Sequence, residues 1–470
     1  MVKASTTTKP RLLWQKRPQR LLALANRRFS ASQPISSRAH MIGEPIEEEL
    51  LPGDRLKWFY PAQPGEVLDG RFKTIVKLGF GTGSTVWLAE NLKFKRWRKS
   101  PLPRYVSIKI AALDTHSSRE TRSFKRISNA TTSHEGLHLI RTPIDEFQLK
   151  GPEGTHSCLV YKPMRETLFQ FQHRLQRPKL DLRLFKFYTY CLLLALDYLH
   201  TECRLIHTDI KDDNIMMTIE NDAVLKDFVN FHKKKSPSKH VRTEDGRITY
   251  LSQPDFGPLR NTRLLPMLAD FNTAFPGLDD NHAHLAPIQS HCIRAPEVLL
   301  GCPWSYSVDI WNFGLLMWNL LEDVTLFERP IGEDGEYDAH VHLAQMISLL
   351  GDPPEELIER ERLLSKYQLE GGVINPCGKK CKNMNEFWGG PFFDDDKQIL
   401  RKDLLKGGKK LADTVTELVG SEKEEFLDLA SGMLHWLPEK RKTAKELMHH
   451  PFYEKLHEDR VRYDAQGGQE

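Results

Sequence analysis

The chain has 470 residues, 40% hydrophobic and 28% charged, ordinary values for a globular protein with one large bilobal core. No apolar run approaches the roughly 18 residues a membrane-spanning helix needs, and seven scattered cysteines exclude a disulfide framework and favour a reducing compartment. The net charge of +4 is lopsided: nine basic residues and no acid precede Glu44, so the remainder nets −5 and offers no basic stripe for nucleic acid.

Residues 1–43 are basic, acid-free and rich in Ser and Thr. Arg11 to Phe29 has the composition of a basic amphipathic helix interrupted by Pro18, and Arg27-Arg28-Phe29-Ser30 resembles a matrix-protease cleavage context. A mitochondrial presequence and a disordered basic tail both fit. Residues 44–64 are an extension with an acid cluster at Glu47, Glu48 and Glu49.

Alternation and β-branching predict a strand over Phe72–Leu78. It runs into Gly79-Phe80-Gly81-Thr82-Gly83-Ser84-Thr85-Val86, a turn whose glycines would let backbone amides approach phosphate oxygens. Such a turn also occurs without any ligand. A second strand, Tyr105–Ile110, sets Lys109 among apolar residues, where a lysine needs a partner. Glu120, in a weakly patterned helix around Ser118–Phe124, is the candidate. His134-Glu135-Gly136-Leu137-His138 matches a zinc-protease signature, but a mid-helix glycine and poor periodicity favour a loop between a helix and a strand. Ser157–Tyr161 is a strand that ends at Pro163.

Tyr188, Cys191, Ala195 and Leu199 recur at helical spacing and lead to His207-Thr208-Asp209-Ile210-Lys211-Asp212-Asp213-Asn214. An acid, a cation two places on and an amide three beyond suit phosphoryl transfer. Asp209 would accept a hydroxyl proton, Lys211 offset phosphate charge and Asn214 hold a metal. An insertion over residues 220–265 reads as polar, with a basic patch at Lys233-Lys234-Lys235. Its Asp255-Phe256-Gly257 follows a poor strand end at Pro254. Asp270 follows the apolar Leu264–Ala269, so Asp270-Phe271-Asn272 is the better metal motif, with Asn272 expected in a left-handed conformation where glycine is usual. Further on come Ala295-Pro296-Glu297, an apolar helix from Asp309, an insert of mixed polarity over residues 351–422, and Arg441 as the buried partner of Glu297. Cys377 and Cys381 have too few companions for zinc. No internal repeat is visible.

Taken in order, these segments resemble the eukaryotic protein kinases. The glycine loop, His207-Thr208-Asp209-Ile210-Lys211, the insertion between Asn214 and Asp270, and Ile288-Gln289 before Arg294-Ala295-Pro296-Glu297 are similar to the serine/arginine-rich protein kinases. Ser107, Lys162 and Asn272 depart from that pattern. The resemblance implies an α+β bilobal fold over residues 65–455, with a mainly β N-lobe (65–162), a mainly α C-lobe (163–455) and a tail at 456–470. It implies ATP-dependent phosphorylation of Ser or Thr in proteins, with Arg-Ser-rich splicing factors as one substrate class. Asp209 and Lys211 would be catalytic, and Asn214 and Asp270 would hold Mg²⁺. Leu78 to Val86, Lys109, Glu120, Lys162 and Met164 would bind the nucleotide. A monomer in cytoplasm and nucleus is expected, unless residues 1–43 direct import. Thr208, where many kinases have arginine, implies activity without a phosphorylated activation loop. The alternative is an ATP-binding pseudokinase scaffold.

Overall fold

The computed structural model describes residues 41–465 apart from 96–99, 114–116, 131–132, 176, 262–263, 279–282 and 409. The basic segment 1–43 therefore lies almost wholly outside the described residues. Six antiparallel strands form the N-terminal sheet: β1 (Val67–Leu68), β2 (Phe72–Gly81), β3 (Ser84–Asn91), β4 (Tyr105–Ala111), β5 (Asp145–Lys150) and β6 (Thr155–Tyr161), in the order β1-β2-β3-β4-β6-β5. Val106, Ile108 and Ile110 alternate into an apolar cluster with Leu68, Phe72, Trp87 and Val160. The two-residue period leaves Ser107 and Lys109 on the other face of β4. One helix, α1 (Ser117–Asn129), accompanies the sheet.

The C-terminal lobe is mainly helical. Asp181 caps α2 (Leu182–Thr201) by accepting from Leu184 N, and most of that helix is buried. The other central helix, α3 (Ser307–Glu322), is buried along nearly its whole length and shares one core with α2. Glu297 and Arg441 meet inside this lobe, both of their Nη–Oε contacts at 2.7 Å, with Arg441 also donating to Ser307 O and His435 O. The segment over residues 351–422 folds onto the lobe as short helices, turns and a hairpin that carries Cys381.

The insertion corrects the expectation of a merely polar segment. Residues Asp222–Lys234 form a helix capped by Asn221, and Val224, Phe228 and Val229 fall on one buried face. That face packs with Phe256 against Ile75, Val76 and Leu88 of the N-terminal sheet, Phe228 stacking on Phe256 at 4.1 Å. Strands Lys239–Val241 and Ile248–Tyr250 follow as a hairpin, from which Tyr250 meets Trp87. The extension joins the same assembly. Lys77 of β2 is sealed from water between Glu47, at 2.6 Å, and Glu48. Glu47 accepts from Ser252 N and Oγ, Glu49 pairs with His240, and Gln253 N donates to Lys77 O. Residues 44–64 and the insertion thus brace the strand that leads into the glycine turn, and Arg55 Nη2 donates to Thr82 O at its tip at 2.8 Å.

Candidate active site

Lys109 Nζ lies 2.8 Å from Glu120 Oε1 and 3.0 Å from Oε2. Glu120 shares a helix face with Phe124 and Ile127, four and seven residues on, whose burial anchors α1. Asp270 Oδ1 stands 3.5 Å from Lys109 Nζ and so links the two lobes. Burial works against a charge on Lys109, but Glu120 and Asp270 outweigh it and raise its pKa. Surrounding protein also disfavours ionised Asp270, although its side chain is 45% exposed, yet Lys109, His207 and Lys211 overcome that and hold the carboxyl below its usual range. The site therefore sets the Lys109 ammonium against the Asp270 carboxylate, with Glu120 bonded to the same nitrogen.

The expected left-handed residue is displaced by two. Asp270 has φ 64°, while Asn272 is not left-handed. Asn272 thus needs none of glycine's freedom, and its Nδ2 donates to Asp270 Oδ1 at 2.6 Å. Asp255 is far from this arrangement in role: it pairs with Arg174, and Phe256 belongs to the insertion core.

The loop from His207 to Asn214 hangs on Asp309, the fully buried acid near the start of α3. Its Oδ2 accepts from His207 N at 2.8 Å and its Oδ1 from Thr208 N at 2.7 Å, while His200 Nε2 lies 2.9 Å from Oδ2. Thr208 has φ 68°, and its Oγ1 donates to Thr273 O. These tethers hold Asp209 in place. Asp209 Oδ2 receives Lys211 Nζ at 2.5 Å and Asn214 Nδ2 at 2.8 Å, leaving Oδ1 with only a long contact of 3.4 Å from Ser290 Oγ. Because Asn214 spends its amide nitrogen on Asp209, its Oδ1 is available as an oxygen ligand. A carboxylate with one oxygen held by no more than a long contact, a cation beside it and two oxygen donors nearby can deprotonate a hydroxyl and offset anionic charge.

The glycine turn is the tip of the β2–β3 hairpin, with Gly79 opposite Val86, Phe80 opposite Thr85 and Gly81 opposite Ser84. A Cβ on Gly79 or Gly81 would meet nothing within 4 Å, and neither has a positive φ. The chain's own packing does not demand glycine there, and the space beside both is open. Leu78 packs beside the insertion core, Thr82 is exposed and Thr85 is buried. Beyond β6 the chain crosses between lobes with Lys162 exposed and Met164 buried, and Ser107 Oγ reaches Lys162 O at 3.5 Å.

His134 pairs with Asp197, and a Cβ at Gly136 would fall 2.1 Å from Leu194 O, so residues 134–138 are a tight turn against α2. Among the described residues no group of three or more His, Cys, Asp or Glu could hold a metal. Asp309, Tyr161 and Arg141 were not singled out from sequence as site residues. An acid in an otherwise apolar helix was the available signal for the first. The others acquire meaning only from residues distant along the chain.

The family described as "Protein kinase domain" matches residues 72–254 and 262–453. A serine/threonine protein kinase of Aspergillus fumigatus is 33% identical over 416 residues, covering 87% of this chain and 90% of that one. Serine/threonine-protein kinase SRPK of Physarum polycephalum is 27% identical, covering 84% and 88%. A crystal structure of a kinase domain overlays with a TM-score of 0.57 at 22% identity, covering 85% of this chain and all of the other, and so supports the fold. No helix among the described residues is long and apolar enough to cross a membrane. The chain therefore belongs to the protein kinase domain family, as a divergent serine/threonine kinase similar to the SR protein kinases.

Proposed function

We propose that the protein transfers the γ-phosphoryl group of ATP, with Mg²⁺, to serine or threonine in Arg-Ser-rich protein substrates. The observation that carries this reading is the joined set Lys109–Glu120–Asp270 and Lys211–Asp209–Asn214, with every polar partner present. The donor chemistry fits the implied groups. Asp270 and Asn214 offer hard oxygens of the kind Mg²⁺ takes, and open space over Gly79 and Gly81 suits phosphates approaching backbone amides. Lys109 would hold the nucleotide's phosphates, and the backbone at Lys162 and Met164 would meet the base. Bound ATP and Mg²⁺ supply the transferable phosphoryl group and neutralise part of its charge.

The chain's own residues do the rest. Asp209 Oδ1, free of Lys211 and Asn214, orients the substrate hydroxyl and takes its proton. Lys211 offsets charge developing on the phosphoryl oxygens, and Asn214 keeps Asp209 Oδ2 occupied so that Oδ1 alone faces the hydroxyl. For the substrate class, the support is the named SRPK relative and the net charge of −5 beyond residue 43, which complements arginine-rich segments.

The test is transfer from labelled ATP to an Arg-Ser repeat peptide, with myelin basic protein alongside and Asp209→Ala as control. Transfer to the peptide that disappears in the variant is expected. Transfer to myelin basic protein alone would remove the Arg-Ser assignment and keep the kinase.

A further inference from the structure

Behind the nucleotide cleft lies a cation that the phosphoryl-transfer machinery does not use. Arg141 enters just before β5, where Ile140 bridges Leu268 and Arg141 N donates to Leu268 O at 2.8 Å, two residues before Asp270. Its guanidinium carbon lies 4.2 Å from the centroid of the Tyr161 ring. Nη2 donates to Ser107 Oγ at 3.3 Å, and Nε is buried without a hydrogen-bond partner. Tyr161 is buried, packs edge-on against Phe124 of α1, and donates from its hydroxyl to Glu120 Oε1 at 3.5 Å.

A half-buried guanidinium whose Nε is sealed from water is held best by an anion or a π face close by. Among the described residues no carboxylate is hydrogen-bonded to Arg141. Burial lowers its pKa, and Tyr161, Glu120 and Asp270 offset part of that shift. Lys109 and Arg141 thus face Glu120 and Asp270 as two cations and two anions, with Tyr161 between the rear cation and Glu120. The arrangement has a clear task, because α1 is polar along most of its length. Phe124 and Ile127 are its two large apolar residues, so where Glu120 points rests on those two, on Lys109 and on the Tyr161 hydroxyl.

We propose that Arg141 is a positioning residue: stacked on Tyr161 and tied to Ser107, it sets the ring whose hydroxyl steadies Glu120, and so presents Lys109 to the nucleotide. This rests on the ATP-dependent reading given above. Arg141→Met keeps bulk over the ring and removes the charge and the planar face. Arg141→Lys restores charge without the flat surface, and Tyr161→Phe removes the hydroxyl alone.

In the full chain, calorimetry would give the Kd for ATP with Mg²⁺. Steady-state kinetics would separate KM for ATP from kcat, and amide exchange would follow Ser117–Asn129. Arg141→Met is expected to weaken ATP binding about tenfold, the scale of one partly buried cation–π contact. KM should rise more than kcat falls, and exchange across the helix should quicken. Arg141→Lys should recover part of this, and Tyr161→Phe should weaken binding about threefold. A folded Arg141→Met with wild-type Kd and exchange overturns the proposal. If that variant does not fold, Tyr161→Phe decides, and an unchanged Kd and exchange rate there overturn it equally. A wild-type chain that binds ATP but phosphorylates nothing would sink the kinase reading while the binding series still judged Arg141. A wild-type chain that binds no ATP would end both.

Discussion

Lys77 brings the extension, the sheet and the insertion to one point, with its side chain fully enclosed and Glu47 and Glu48 at 8% and 9% exposure. Lys77→Met preserves length and apolar stem but removes the cation that bridges the two carboxylates, Glu47 keeping its bonds from Ser252. Breaking a buried pair by removing one partner costs about 3–5 kcal/mol. With a urea slope of roughly 2–3 kcal/mol per molar, the midpoint should fall by about 1–2.5 M. The defect carries a pH signature. Burial raises the Glu48 pKa and Lys77 opposes that rise, so without the lysine the value climbs further above 4.5. A raised carboxyl pKa means that the folded state holds the extra proton. Its stabilising effect is full below the unfolded pKa and is lost as pH rises through the folded one. The midpoint shift should therefore be larger at pH 8 than at pH 5. Adding Glu47→Gln and Glu48→Gln to Lys77→Met should recover much of the loss, because the penalty is unpaired charge rather than a cavity. A Lys77→Met loss below about 1 kcal/mol at pH 8, or a triple variant no more stable than the single one, would refute the reasoning.

Three other outcomes are expected. Asp309→Asn exchanges one of the two acceptors that hold His207 N and Thr208 N for a donor, so kcat should drop by about 10²-fold, with the KM for ATP moving much less. Glu120→Gln keeps the shape of the Lys109 partner and removes its charge; calorimetry should find ATP binding weaker by about tenfold. Thr208 is occupied with Thr273 O and Asp309 and presents no cation for a phosphate, so phosphatase treatment before the assay should leave transfer intact. Abolished transfer would contradict that.

The features legible in the sequence are those written in adjacent residues. The period-two alternation from Tyr105 to Ile110 isolates Lys109 on one face, and β4 places it there. Pro254 argues against a strand before Asp255, and the chain indeed leaves its hairpin at Tyr250. Leu264 to Ala269 foretells the short strand Pro266–Leu268 before Asp270. Spacing from Asp209 to Asn214 brings both ends of that loop together, because five residues close a turn in few ways. Glu120 was identifiable only as the nearest acid at plausible helical spacing; its contact with Lys109 is a fact of packing.

The insertion shows where such reading stops. Its Val224, Phe228 and Val229 are sparse among charges, and nothing nearby names Ile75 or Leu88 as their partners. Lys77 looks like any strand lysine until Glu47 and Glu48 close over it from thirty residues earlier. Arg141 looks exposed beside Thr142 and Pro143, yet it lies over Tyr161. By itself the sequence determined the strands, the buried helices, the order of the functional segments and the chemistry each could perform, since local alternation and side-chain type settle these. Only the tertiary structure decided which distant charges neutralise one another and which faces close the cleft. Burial makes a charge depend on its partner, and that partner is chosen by the fold, not by proximity along the chain.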